Sequence, residues 1–247
     1  MNSYKTTTEM KSAARALLQG KYKEYIAAYI TAELVLSLLA MVASSVLPTD
    51  TTWGMVFDLA ISFVLELISA VFLLGIIHYT LNICKGQPYT LGDVFYGFKS
   101  HPDKAIISKF LFTLAELVCM LPAILFALLY TITENPLLMI VMSIFLVIGL
   151  VAVVILHLTL QFVYYLILDY PDATIKELIV YSANMMRGHR VKLFYLYASF
   201  LPLYALGILS MGIGLLFVEP YVNVTIAEFY LDVFFIEEKE EIQSEEV

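Results

Sequence analysis

Long apolar segments alternate with short polar ones along the whole chain, and the apolar segments have the length of membrane helices. The four clearest cover about residues 25–47, 55–84, 104–131 and 137–168. Apolar runs of about 18 residues or more are typical of helices that cross a ~30 Å hydrocarbon core. The pattern therefore predicts an all-α protein, a polytopic bundle of transmembrane helices.

The last part of the chain allows two interpretations. A fifth apolar run begins near Val191, and the glycines of the segment ILSMGIG indicate a turn. A sixth span would then cover about residues 215–236. The alternative is one long fifth helix to Val218, with residues 220–236 lying in the membrane interface. We predict six transmembrane helices, because membrane helices here come as hairpins and the chain repeats itself.

The repeat is carried by a short polar pattern that occurs three times. Each copy begins with a threonine, has an acidic residue three positions later, and continues as a short amphipathic helix towards a glycine. Threonine and an acid at this spacing predict a capping box at a helix start, and glycine commonly ends a helix. The three threonines are 84 residues apart. The residues are Thr6, Glu9 and Gly20; Thr90, Asp93 and Gly97; and Thr174, Glu177 and Gly188.

We therefore predict three pseudo-repeats, each an amphipathic interfacial helix followed by a helical hairpin. They cover about residues 6–84, 90–168 and 174–236 of one transmembrane domain, residues 1–236. The short helices are expected to lie on the membrane surface. Residues 237–247 contain six glutamates, and this composition predicts a disordered acidic tail.

Composition and charge support a membrane protein and give it an orientation. The chain is 61% hydrophobic and only 15% charged, too few charges to cover the surface of a soluble domain. Thirteen of the fourteen Lys and Arg residues lie in the N-terminal segment and in residues 85–109 and 169–192. The positive-inside rule then predicts a cytoplasmic N-terminus and, with six spans, a cytoplasmic C-terminus. The expected partner is the lipid bilayer, and nothing in the sequence resembles a nucleic-acid-binding module.

Four segments resemble the bacterial integral-membrane family called domain of unknown function 975, which is common in Firmicutes. They are LGDVFYGFK (91–99), YYLILDYP (164–171), SANMMRGHRVKLF (182–194) and GIGLLFVEPYVNVTIAEFY (212–230). The resemblance covers nearly the whole chain. It implies a six-helix protein of the bacterial cell (plasma) membrane, and it implies no activity or catalytic residues.

Acidic residues inside the predicted spans are the candidate functional site. Glu33, Glu66 and Glu116 lie near the centres of the first three spans, where an unpaired charge is costly. We expect no Lys or Arg deep enough to pair with them. They form either one inward-facing cluster that binds protons, a cation or a cationic ligand, or three neutral acids bonded to neighbouring helices. Asn223 and Glu228 extend the candidate site into the sixth span.

The chain has no catalytic motif and no metal-ligand spacing, so we predict a non-enzyme without cofactor or metal. Two functions remain. The first is a non-catalytic accessory or scaffold component of a cell-envelope or export system, in contact with another membrane protein complex. The second is a small transporter or a lipid- or cation-binding protein that uses the intramembrane carboxylates. Transport requires the acids to converge on a water-reachable cavity, whereas a scaffold allows them to be scattered and individually bonded.

Overall fold

A computed structural model describes residues 4–46 and 52–245, and in these two ranges every regular element is a helix. The α-helices are α1 (Thr7–Leu18), α2 (Tyr22–Val46), α3 (Thr52–Lys85), α4 (Tyr96–Lys99), α5 (Pro102–Thr133), α6 (Pro136–Leu160), α7 (Val163–Asp169), α8 (Ile175–Met185), α9 (Arg190–Ala198), α10 (Leu201–Leu209) and α11 (Leu215–Glu245). A 3-10 helix, Leu91–Phe95, precedes α4.

Within the described residues, five helical segments are long and apolar enough to cross a membrane. They are Tyr22–Ala43, Thr52–Lys85, Pro102–Thr133, Pro136–Asp169 and Arg190–Leu209. This confirms an all-helical, multi-pass membrane protein. Helix α11, the predicted sixth span, is not among the five, because acidic residues interrupt its apolar sequence.

Helix α11 nevertheless forms the centre of the protein core. Its side chains from Tyr221 to Val233 are almost all buried, and it contacts α1, α2, α3, α8 and α10. The chain reverses before α11 where Met211 (φ 58°) and Gly212 (φ 88°) adopt the left-handed conformation. As a result, Lys192 Nζ near the start of α9 lies 3.8 Å from Asp232 Oδ2 in the later half of α11. Helix α11 therefore runs back along α9 and α10, enclosed by other helices.

The buried core is concentrated at one end of the bundle. It joins α1, α7, α8 and α11 to the later half of α3. The opposite halves of the long helices expose apolar side chains, and α5 and α6 extend outward as a hairpin in which Phe126 stacks on Phe145. In a bilayer, such exposed apolar surfaces face the lipid tails.

The short amphipathic helices pack on the bundle, which corrects the expectation that their apolar faces lie on the membrane. Met10, Ala14 and Leu18 of α1 are fully buried, and α1 packs along α11. A docked face removes apolar area from both water and lipid headgroups, and this protein contact replaces insertion into the interface.

The second short unit meets α3 at glycines. A Cβ added at Gly75 would overlap the carbonyl oxygen of Val94 in the 3-10 helix, and one added at Gly97 would overlap that of Val71. Gly97 was predicted to end its helix, but it lies inside α4. Its missing side chain is needed for the close approach to α3 and not for a helix end.

All three threonine–acid pairs form capping boxes. In each box the threonine backbone N–H donates to the acid that follows, over 2.6 Å for Thr6–Glu9, 2.7 Å for Thr90–Asp93 and 2.8 Å for Thr174–Glu177. Gly20 and Gly188, both at φ 81°, have the left-handed conformation that glycine adopts without strain after a helix.

Helix α11 continues to Glu245, into the acidic segment that follows residue 236. The segment extends a helix that is already formed, which removes the cost of starting a new one. Glutamate and lysine are also good helix formers.

Candidate functional site

The five candidate residues do not form one cluster. Glu33 lies on α2, Glu66 on α3 and Glu116 on α5, whereas Asn223 and Glu228 lie on α11. Glu116 and Asn223 line one cavity, Glu66 pairs with another residue of its wall, and Glu33 and Glu228 lie elsewhere.

Glu66 forms an ion pair between α3 and α5. Its Oε1 lies 2.9 Å from Lys109 Nζ, and the two side chains are 43% and 24% exposed. The expectation that no Lys or Arg lies deep enough to pair with these acids was therefore wrong. Lys109 follows the start of α5 by seven residues, about 10 Å along the axis, and its long flexible stem adds reach.

Glu116 forms a second ion pair, one deeper in the bundle. Its Oε1 lies 2.9 Å from His157 Nε2 on α6, a contact that is an ion pair when the imidazole is protonated, and the two side chains are 28% and 59% exposed. The pair joins the two helices of the outer hairpin. An isolated histidine has no visible partner in the linear chain, so the sequence did not identify His157 as the partner of Glu116.

The two ion pairs border a cavity of about 200 Å³, which we call the lateral chamber. Residues of α3, α5, α6, α7, α9 and α11 form its walls. Tyr164 belongs to the wall and packs edge-on against Phe112, with 5.9 Å between the ring centroids. It lies close enough to Glu66 and Glu116 to interact electrostatically with both. The polar side chains that line the chamber include Lys109, Glu116, His157, Gln161 and Asn223.

Glu33 has different surroundings. It lines a separate cavity of about 300 Å³ between α2 and the start of α11. Tyr29 and Glu219 of α11 lie close enough to Glu33 to interact with it, and Glu219 in turn lies close to Tyr204. Nothing in the linear sequence indicates that Glu219 lies near Glu33. Its proximity to Glu33 depends on the packing of α11 against α2.

Glu228 holds the N-terminal segment at the core end of the bundle. Lys5 Nζ donates to Glu228 Oε2 over 2.9 Å, and the Lys5 backbone N–H donates to Asp232 over 3.0 Å. The hydrogen bond to Glu228 raises the pKa of the Lys5 ammonium group. Glu228 therefore anchors the residues that lead into α1, and it lies apart from the lateral chamber.

Asp169, also at the core end of the bundle, connects α7 to α3 and α11 through hydrogen bonds that the sequence did not predict. It accepts a hydrogen bond from Tyr230 over 2.6 Å and another from Lys85 over 3.2 Å. Lys85 and Asp169 are 84 residues apart, the same separation as the capping threonines. That coincidence was the one sequence signal that pointed to their contact.

Over the described ranges, no group of three or more His, Cys, Asp and Glu side chains is arranged to hold a metal ion. Cys84 and Cys119 are both free thiols. The arrangement supplies interhelical ion pairs and one small polar chamber.

Comparison with protein families gives one result. The family model described as "Protein of unknown function (DUF975)" matches residues 1–235. Comparisons with curated proteins and with solved structures found no match.

Proposed function

The chain belongs to this DUF975 family, and we propose that it is a non-catalytic accessory or scaffold protein of a bacterial membrane system for export or envelope assembly. One observation carries the proposal. The intramembrane acids are distributed over the bundle, and most of them are bonded to a cation on another element, instead of converging on one water-filled path.

The ion pairs have the geometry of connections between helices. Glu66 joins α3 to α5, Glu116 joins α5 to α6, and Glu228 joins α11 to the segment before α1. Polar side-chain contacts between membrane helices contribute about 0.6 kcal/mol on average and about 1.7 kcal/mol at most. Several such contacts fix the relative positions of the helices, as a platform for a partner requires.

The proposal includes six crossings arranged as three pseudo-repeats, with both termini in the cytoplasm. The antiparallel course of α11 beside α9 and α10 supports a sixth crossing. The three capping boxes support the repeats. Basic residues Lys5, Lys85 and Lys192 all form ion pairs at the core end, which supports placing that end on the cytoplasmic side.

A groove along α8 supports contact with a partner. It encloses about 670 Å³, and Tyr170, Lys176 and Val180 are among the residues that line it. Val180 is half exposed, and Tyr170 is 42% exposed. Because the groove lies at the core end and carries both apolar and charged groups, it is suited to a protein segment that approaches from the cytoplasm.

Site-specific photo-crosslinking in growing cells tests this function. With a photo-reactive amino acid in place of Val180, the full chain should cross-link to subunits of one membrane complex. Leu128, which is exposed on the outer hairpin, is the control position. The same photo-reactive amino acid placed there should give no cross-link to that complex. The cross-link should persist in the triple variant Glu33→Gln, Glu66→Gln, Glu116→Gln.

The opposite pattern contradicts the accessory role. If position 180 gives no protein product, and the triple variant behaves like a deletion of the gene in cells, the carboxylates perform the function themselves. The transporter interpretation would then be the better one.

A further inference from the structure

We propose that the lateral chamber binds the zwitterionic headgroup of a membrane phospholipid, with the headgroup ammonium at Glu116 and the phosphate at Lys109 and His157. The inference goes beyond the accessory role, and its assignment to the inner leaflet rests on the membrane orientation proposed above. It rests on the exposure, the unused bonding capacity, the size, the depth and the charge of the chamber.

The charged groups of the chamber reach the side of the bundle. Glu66 is 43% exposed and His157 is 59% exposed, although both belong to helical segments that are apolar enough to cross a membrane. Charged side chains in membrane helices normally face the protein interior or water, because contact with hydrocarbon is costly. A polar ligand at this position removes that contact.

The ion pairs leave bonding capacity for such a ligand. In each pair the cation contacts only one carboxylate oxygen, Oε1 of Glu66 or Oε1 of Glu116. A carboxylate has about four acceptor sites, and a lysine ammonium has three donors. The carboxylate of Glu116 and the donor groups of Lys109 and His157 line one chamber, and they match a headgroup that carries one ammonium and one phosphate.

The size of the chamber fits a headgroup and not a whole amphiphile. Its volume of about 200 Å³ lies below the ~300–1,000 Å³ of sites that enclose drug-sized ligands. It equals the liquid volume of about seven water molecules. The acyl chains would therefore remain outside, along the exposed apolar sides of α5 and α6.

The depth of the chamber corresponds to the inner leaflet. Helix α5 has 32 residues, so it is about 48 Å long, close to the ~40–45 Å of a bilayer with its headgroup regions. Lys109 and Glu116 lie seven and fourteen residues from its start, about 10 and 21 Å along the axis. The chamber thus extends from the level of the lipid headgroups at Lys109 to near the middle of the bilayer at Glu116, so a bound headgroup would lie deeper than those of the surrounding lipids.

The charge of the chamber selects a zwitterion over an anionic lipid. Glu116 is a carboxylate in the chamber wall and can bind a cationic group, whereas Lys109 and His157 in the same wall can donate to a phosphate. The rings of Tyr164, Tyr165 and Tyr197 also line the chamber, and aromatic rings attract ammonium groups. An anionic headgroup without an amine would offer no partner to the Glu116 carboxylate.

Native mass spectrometry of the full chain in detergent tests the proposal. The probes are phosphatidylethanolamine, phosphatidylglycerol of the same acyl chains, and free phosphoethanolamine. We expect one saturable phosphatidylethanolamine molecule per chain, held about tenfold more tightly than phosphatidylglycerol, the effect of one or two charge-assisted hydrogen bonds. Free phosphoethanolamine should bind much more weakly, because it has no acyl chains.

The variant Glu116→Gln, His157→Gln keeps side chains that form hydrogen bonds but removes the charges. It should bind phosphatidylethanolamine about tenfold more weakly, the effect of losing charge-assisted contacts. The control variant Lys85→Gln breaks an ion pair outside the chamber and should bind like the unaltered chain.

A second measurement leaves the ion pairs intact. Leu73 lines the chamber, and Leu73→Trp in a Trp53→Phe background provides a single fluorophore there. Brominated phosphatidylethanolamine should quench it more strongly than brominated phosphatidylglycerol. Equal binding or quenching by both lipids would overturn the proposal, and so would equal binding by free phosphoethanolamine. A lipid-free dimer would assign the exposed charges to a second copy of the chain and would overturn it as well.

Discussion

Replacing Gly75 by alanine should separate the second short unit from α3. Gly75 faces the backbone of the 3-10 helix, where an added Cβ would overlap the Val94 carbonyl oxygen and lie 2.6 Å from its carbonyl carbon. Carbon atoms in favourable contact are about 3.5–4.0 Å apart. The backbone around Val94 would therefore have to move away by roughly 1 Å.

The expected loss of stability follows from what blocks the added methyl group. Overpacking that forces a backbone shift costs about 1–3 kcal/mol, and occasionally more. At Gly75 the obstacle is backbone and not the end of a flexible side chain, so we expect the upper end, about 3 kcal/mol. That loss lowers the ratio of folded to unfolded protein by more than about a hundredfold.

Unfolding in mixed micelles with increasing denaturing detergent, followed by circular dichroism, measures this loss. Gly92→Ala is the matched control in the same 3-10 helix, because its added Cβ would meet only Thr90 Oγ1, at 3.5 Å. The control should change the free energy of unfolding by no more than about 0.5 kcal/mol. If Gly75→Ala unfolds together with Gly92→Ala, the close packing of this unit on α3 is refuted.

Three further predictions concern the caps, the N-terminal anchor and the topology. Hydrogen bonds from the backbone and side chain of Thr174 lower the pKa of Glu177 below its ordinary 4.5, so this cap stabilises α8 above pH 4.5 and is lost as the pH falls through the lowered value. The protection of amides at the start of α8 against exchange, relative to an unstructured chain, should fall as Glu177 becomes protonated. The variant Thr174→Val should lack this protection at every pH. The hydrogen bond to Glu228 raises the pKa of Lys5, so this N-terminal anchor is complete below pH 10.5 and is lost as the pH rises through the raised value. Proteolysis before α1 should increase in that pH range. The variant Lys5→Met should be cleaved at this site at neutral pH. A reporter fused to the C-terminus should lie on the same side as one fused to the N-terminus, whereas opposite sides would exclude six crossings.

The sequence predicted those features that depend on local patterns. The apolar runs are long enough to identify the helices without knowledge of their neighbours. The boxes at Thr6, Thr90 and Thr174 need only residues three positions apart, so they too were visible in the chain. The family resemblance, now confirmed, depended on short segments of the same kind.

Features that depend on packing were not predictable in this way. Lys109 already lay within the predicted third span, but its pairing with Glu66 depends on the packing of α3 against α5. Likewise α11 looks like a poor membrane span because of its acids, although enclosure by other helices removes its need for a lipid-facing surface. The partners of Glu116 and Glu228 lie on distant elements, and no local rule joins them.

The central claim is that the intramembrane acids connect helices pairwise and do not share one site. Double-mutant cycles on the free energy of unfolding test it directly. Glu66→Gln with Lys109→Met should show a coupling energy of about 0.6–1.7 kcal/mol, the range of interhelical polar contacts in membranes. Glu33→Gln with Glu116→Gln should be additive within about 0.5 kcal/mol, as expected for separate sites. Additivity within the first pair, together with strong coupling between Glu33 and Glu116, would contradict the account and indicate a shared carboxylate site.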